Sequence, residues 1–105
     1  MKHVYQRDIY ESINEFIMEY SSQYNEIGDN SQGMDFIYKN QEYRLCREYD
    51  DVFYLYKRSS TNVNDMEIIG VCNSMDELLK SKYIDNITFE TIIMNEKDTI
   101  IYGKD

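Results

Sequence analysis

The stretch Met34–Arg58 limits the fold more than any other part of the chain. It reads MDFIYK, NQ, EYRLCREY, DD and VFYLYKR in succession. Aromatic and β-branched runs broken by Asn, Gln and Asp signal strands joined by tight turns. With two-residue turns at Asn40-Gln41 and Asp50-Asp51, Lys39 faces Glu42 and Tyr49 faces Val52. Side chains then alternate between two faces. One face collects Met34, Phe36, Tyr38, Tyr43, Leu45, Tyr49, Val52, Tyr54 and Tyr56, with Arg47 and Arg58. It is nearly all apolar or aromatic and is the expected core side. The other face collects Asp35, Ile37, Lys39, Glu42, Arg44, Cys46, Glu48, Phe53, Leu55 and Lys57. Within that charged face, Ile37, Cys46, Phe53 and Leu55 form an apolar island that the C-terminal segment or a partner must cover.

The elements on either side complete an α+β domain. Residues 1–7 are expected to be a frayed start or an extended arm. Asp8 and Glu11 have capping-box spacing, which predicts a helix over 8–24. Ile9, Ile13, Phe16, Ile17, Tyr20 and Tyr24 recur at helical spacing and give it one apolar stripe. Residues 25–33 and 59–65 read as polar loops. MEIIGVC (66–72) reads as a fourth strand. Ser74 and Glu77 form a second capping box, opening a short helix with Met75, Leu78 and Leu79 turned inward. The segment 88–94 suits a helical turn by spacing and a strand by its β-branched content. Thr99–Tyr102 is a short edge strand or a loose end. The predicted architecture is an N-terminal helix on a three- to four-stranded antiparallel meander, then a short helix and a C-terminal helix or strand. At 105 residues this is one domain, 1–105.

Several chemistries are disfavoured. The only histidine is His3, so a serine or cysteine nucleophile lacks a plausible base. No residue group has the spacing of a metal site. The acid pairs Asp50-Asp51 and Asp76-Glu77 fall at turns or helix starts, where acids are favoured for structural reasons. No enzyme activity, metal or cofactor is expected. Cys46 and Cys72 lie on strands with another strand between them, too far apart for a disulfide, which suits two free thiols in a reducing compartment. The start MKHVYQRD lacks the apolar core of a signal peptide, and no apolar run approaches the ~20 residues of a membrane span. The expectation is a cytoplasmic protein.

Charge supplies the positive argument. Twenty acidic residues against 11 basic ones give a net charge of −9. Such a chain is repelled by nucleic-acid phosphates and anionic membranes. It is attracted to basic protein surfaces. The chain has 11 tyrosines and no Trp or Pro, and Tyr offers large contact area at low entropy cost. Rich Ile, Asn, Lys and Tyr fit an AT-rich gene of a phage or low-GC bacterium. Glu11, Glu15 and Glu19 recur every fourth residue of the predicted helix, away from its apolar stripe. With Tyr49, Asp50, Asp51 and Phe53 at the second turn, they form the expected partner-binding set. The reading is a non-enzymatic acidic protein that binds and inhibits a basic, nucleic-acid-handling protein by presenting carboxylates in place of phosphates. Phage anti-defence proteins such as anti-CRISPR and anti-restriction proteins are the analogous class. The alternative is a host-side interaction module, either a toxin-neutralising immunity protein or an obligate homodimer.

Overall fold

A computed structural model describes residues 4–7, 9–20, 32–48, 52–59, 61–62 and 65–104. In chain order they form β1 (Val4–Arg7), α1 (Ile13–Glu19), β2 (Gln32–Tyr38), β3 (Gln41–Arg47), β4 (Phe53–Arg58), β5 (Met66–Cys72), α2 (Met75–Lys80), α3 (Phe89–Ile93) and β6 (Thr99–Lys104). The fold is mixed α+β. Its antiparallel sheet has six strands in the order β1-β6-β2-β3-β4-β5.

Two strands depart from the sequence reading. The start of the chain is a paired strand, with Val4–Arg7 opposite Lys104–Ile101. β6 is not an edge strand, because it sits between β1 and β2, with Phe36 opposite Ile101 and Tyr38 opposite Thr99. The turn before it explains the placement. The Asn95 side-chain oxygen accepts the Lys97 and Asp98 amides at 3.1 Å, and the Thr99 hydroxyl donates to the Ile92 carbonyl at 2.6 Å. This Asx turn aims the chain back along β2, where an all-apolar Ile100-Ile101 pair can be paired on both sides.

The two hairpins of the meander differ in a way that decides which side chains are buried. The β2–β3 turn is Lys39-Asn40, with φ of 48° and 67° and Tyr38 opposite Gln41. Two consecutive positive φ values are the type I′ geometry that matches strand twist. This lies one residue before the predicted turn. Moving a two-residue turn by one position changes the pairing sum by two, so Met34, Phe36, Tyr38, Tyr43 and Leu45 stay together in the core as expected. The β3–β4 connection is different. The Glu48 amide donates to the Val52 carbonyl at 2.9 Å, and Arg47 lies opposite Phe53. The loop therefore holds three residues, 49–51, where two were expected. One extra residue turns over every side chain of β4. Phe53 and Leu55 enter the core, and Tyr54 and Tyr56 face outward.

The helices all serve the core face. Phe16 of α1 packs on Tyr10, Tyr20 and Phe89, and Phe89 packs edge-on to Phe36 of β2. Leu78, Leu79, Ile92 and Ile93 complete the same cluster. α1 is shorter than the predicted 8–24. Its N-cap position is Ser12, whose side chain makes no capping hydrogen bond, while Asp8 and residues 21–24 lie outside the described residues. Ser12 and Glu15 repeat the S-x-x-E spacing, and the Glu15 carboxylate accepts the Glu11 amide at 2.7 Å. Starting the helix there frees Tyr10 to fold back, pack its buried ring on Phe16 and donate its hydroxyl to Glu19. The capping box at Ser74 forms as predicted: its oxygen accepts the Glu77 amide, and Glu77 accepts the Asn73 amide, both at 3.0 Å. The ambiguous segment is helical, with the Thr88 side chain capping α3.

Candidate interaction surfaces

With all three helices on one side, the opposite side of the sheet is bare among the described residues. Antiparallel sheets tolerate this when the second face meets water. Here that face is unusually apolar. Alternation places Ile37, Cys46, Tyr54 and Tyr56 on it, each partly buried by its neighbours. A bulge in β5 adds two more. Leu55 pairs with Gly70 and Tyr56 with Ile68, which leaves Ile69 as the extra residue. Ile69 turns to the core, while Ile68 and Val71 point outward, 57% and 40% exposed. Cys46 lies opposite Tyr54, which in turn lies opposite Val71.

Four of the charges on this face are paired within it. Arg44 Nε donates to Asp35 at 2.7 Å, across one rung of β2 and β3. That hydrogen bond holds the Arg44 guanidinium above its usual range. Arg58 donates through Nε to Glu42 at 2.7 Å. Two acids and two arginines cancel, and Glu48, two residues beyond Cys46 on the same side of β3, adds a further acid near Tyr56. The Tyr56 hydroxyl is pushed up by desolvation, and then by Cys46, Glu48 and Tyr54, with Arg44 acting the other way.

Other exposed acids lie on the helical side. Glu11 and Glu15 are exposed beside α1, Asp76 and Glu77 on α2, and Asp85, Glu90 and Glu96 around α3. The expected ridge is altered, since Glu11 precedes the helix and Glu15 and Glu19 each hold a local partner. Glu15 and Glu19 thus have a structural use, in starting α1 and in anchoring Tyr10. Tyr49, Asp50 and Asp51 lie outside the described residues. Phe53 leaves the candidate set, because it is 1% exposed in the core opposite Cys72 and offers no surface to a partner. Of the expected apolar island, Ile37 and Cys46 remain on the open face and Phe53 and Leu55 do not.

Sequence reasoning missed Tyr54, Tyr56, Ile68 and Val71 as surface residues. A signal for the tyrosines was present. Phe53 and Leu55 alternate with Tyr54 and Tyr56, and only the tyrosines carry a hydroxyl that gains from water. Assigning Phe and Leu to the core would have required the longer loop.

No disulfide joins the two cysteines, with Cys72 buried and Cys46 half-buried. They occupy β5 and β3 on opposite faces of the sheet. Burial raises the Cys72 thiol, the Ser81 hydrogen bond lowers it, and Glu77 raises it further. Among the described residues no cluster of three metal-ligating side chains occurs, and no helix is long and apolar enough to cross a membrane. No protein-family model, curated protein or solved structure matches the chain.

Proposed function

We propose that this is a non-enzymatic binding protein whose acidic helical side engages a basic, nucleic-acid-handling protein and inhibits it, in the manner of phage anti-defence proteins such as anti-CRISPR and anti-restriction proteins. The observation that supports this reading is the segregation of charge. Exposed carboxylates outnumber exposed lysines around the helices and their turns, with Asp76 paired to Lys80, while Asp35 and Glu42 on the open sheet face are matched by arginines. A basic partner meets a concentrated negative field on one side only, and such a field raises association rates at low salt. Glu11, Glu15 and Glu19, with Tyr49, Asp50 and Asp51 at the β3–β4 loop, are the candidate contacts. The protein would act in the cytoplasm, without cofactor, and without touching nucleic acid or membrane itself.

The test uses substitutions that respect the local roles found here. Glu15→Gln and Glu19→Gln keep an oxygen for the Glu11 amide and the Tyr10 hydroxyl while removing charge. Glu11→Lys and Asp50→Lys reverse charge where no described contact depends on it. Basic proteins captured from host lysate at low salt by the native chain should be lost by the quadruple variant, with the circular dichroism spectrum unchanged. Capture at low salt that is indifferent to all four changes sinks the proposal.

A further inference from the structure

We infer that β1 is a releasable guard strand. It covers the outer edge of β6, and when it lifts, two copies of this chain pair through that edge. The reasoning does not depend on the acidic side or its partner. It starts from the two borders of the five-stranded block β6-β2-β3-β4-β5. At the β5 border, pairing with another strand is already discouraged. The bulge at Ile69 bends that edge, Glu67 sets an exposed charge in it, and the Tyr83 ring lies over Gly70. β6 uses none of these devices. Its run Thr99-Ile100-Ile101-Tyr102-Gly103 carries no charge and no proline, and its register with β2 is continuous. An uncharged, β-branched and aromatic run of this kind readily adds a strand at an open edge. The protein covers this border with β1, which sets Val4–Arg7 opposite Lys104–Ile101.

The cover is separable from what it covers. β1 and β2 are staggered along β6, with β2 pairing Thr99–Tyr102 and β1 pairing Ile101–Lys104. β6 also has anchors of its own. The Thr99 hydroxyl donates to the Ile92 carbonyl at 2.6 Å, the Lys39 amide donates to the Asp98 carbonyl at 3.1 Å, and Ile101 is buried in the core. β1, by contrast, has four residues and is the border strand among the described residues. Its release removes one short ladder and leaves β6 held by β2 and the core. Short border strands belong to the low-stability end of a fold and open before the core does. Once β1 lifts, the backbone groups of Ile101–Lys104 that faced it need a partner. The occupant that fits is β6 of a second copy, because antiparallel pairing about a two-fold axis is self-complementary. Centred on Ile101, that pairing joins the uncharged run 99–103 to itself. It also sets Asp98 of each copy opposite Lys104 of the other, so opposite charges meet at both ends.

The experiment disables β1 in the full chain. Proline cannot donate to a ladder, so Tyr5→Pro with Gln6→Pro should free β6. Sedimentation across a wide concentration range should show the double variant associating at a concentration at least tenfold below the native chain. Its Leu45 amide should stay protected from hydrogen exchange. Adding Ile100→Lys should return the double variant to a monomer, since lysine within an edge opposes pairing. A synthetic peptide of residues 1–8 in excess should do the same, and a scrambled peptide should not. A further readout needs no substitution. In the native chain the Tyr5 and Gln6 amides should exchange at least tenfold faster than that of Leu45. A folded double variant that associates no more than the native chain overturns the inference. So does loss of Leu45 protection in the double variant, association that survives Ile100→Lys, or native β1 amides protected as well as Leu45.

Discussion

Leu45 and Cys46 are neighbours on β3 and belong to different environments. Leu45 points into a closed core of Phe, Leu, Ile, Met and Tyr side chains from both layers. Cys46 points to the face away from the helices, lined by Tyr, Ile, Val and ion-paired side chains. Both sides of the sheet are rich in apolar carbon, so hydropathy alone does not separate them. They differ in what their polar atoms can reach. The core side lies under the helices and buries the rings of Tyr10, Tyr20, Tyr38 and Tyr43, whereas on the open side Tyr54 and Tyr56 stay partly exposed and Arg44 and Arg58 each find a carboxylate on the neighbouring strand. A face can therefore be apolar enough to attract a partner and still be stable in water.

The largest expected effect contrasts the two faces directly. Phe36 is fully buried, stacked on Tyr43 and edge-on to Phe89. Phe36→Ala should cost about 3–5 kcal/mol, close to the whole stability of a domain this size. Ile37→Ala, one residue away on the open face, should cost about 1 kcal/mol or less, since only part of its surface is removed from water. Urea titration of both variants at low protein concentration checks this. Equal losses would show that the open face is packed against something in the isolated chain.

The second effect tests where β5 meets the helical side. A Cβ added at Gly70 would lie 2.4 Å from the Tyr83 ring. The ring covers the glycine and its hydroxyl reaches toward the Val71 carbonyl, an aromatic cover for an edge glycine. Gly70→Ala should cost about 1–3 kcal/mol by overpacking. Adding Tyr83→Ala should recover part of that loss, because it removes the atoms in the way. A double variant that simply sums the two single losses would show that the ring does not rest on Gly70.

A third effect is confined to alkaline pH and to the core face. Burial, and then Asp85 and Tyr38, hold the Tyr43 hydroxyl above the ordinary 10.0. A raised value means the folded state keeps this proton more tightly than the unfolded chain. The contribution is fully present below pH 10 and is lost as pH rises through the folded value. Denaturation midpoints of the native chain should fall above pH 10, and Tyr43→Phe should fall less steeply. Parallel slopes would place the alkaline loss at other residues.

How far the sequence revealed this molecule depended on how many residues had to be counted correctly. β5 matches its predicted bounds, 66–72, and α2 begins at the predicted capping box, because each is punctuated by side chains that act locally, such as Ser74 with Glu77. The faces of β2 and β3 survived a misplaced turn, since moving a two-residue turn keeps parity. The face of β4 did not survive, because a loop of three was read as a loop of two, and no residue among Tyr49, Asp50 and Asp51 announces that difference. With it went the expectation for Phe53. β1 and the central position of β6 were illegible for another reason. Their pairing joins the two ends of the chain, and no local pattern encodes a contact of that sequence separation. Glu15 and Glu19 looked like surplus charge only while their partners, the Glu11 amide and the Tyr10 hydroxyl, were unknown.

The smallest effect sharpens the contrast most. Asp35 and Arg44 face each other on the open side, with side chains 23% and 40% exposed. Solvent screens such a pair, so a cycle of Asp35→Ala, Arg44→Ala and the double variant should give a coupling of about 0.2–1 kcal/mol. Their core-side neighbours sit where no water competes, and a polar pair there would couple several times more strongly if it formed at all. The coupling is thus a gauge of how wet the open face is. Measured by chemical denaturation at low micromolar protein, it should stay within that range and weaken in salt. A coupling well above 1 kcal/mol at the lowest concentration would mean that the face is already covered within one chain, and the distinction between the two sides of the sheet would fail.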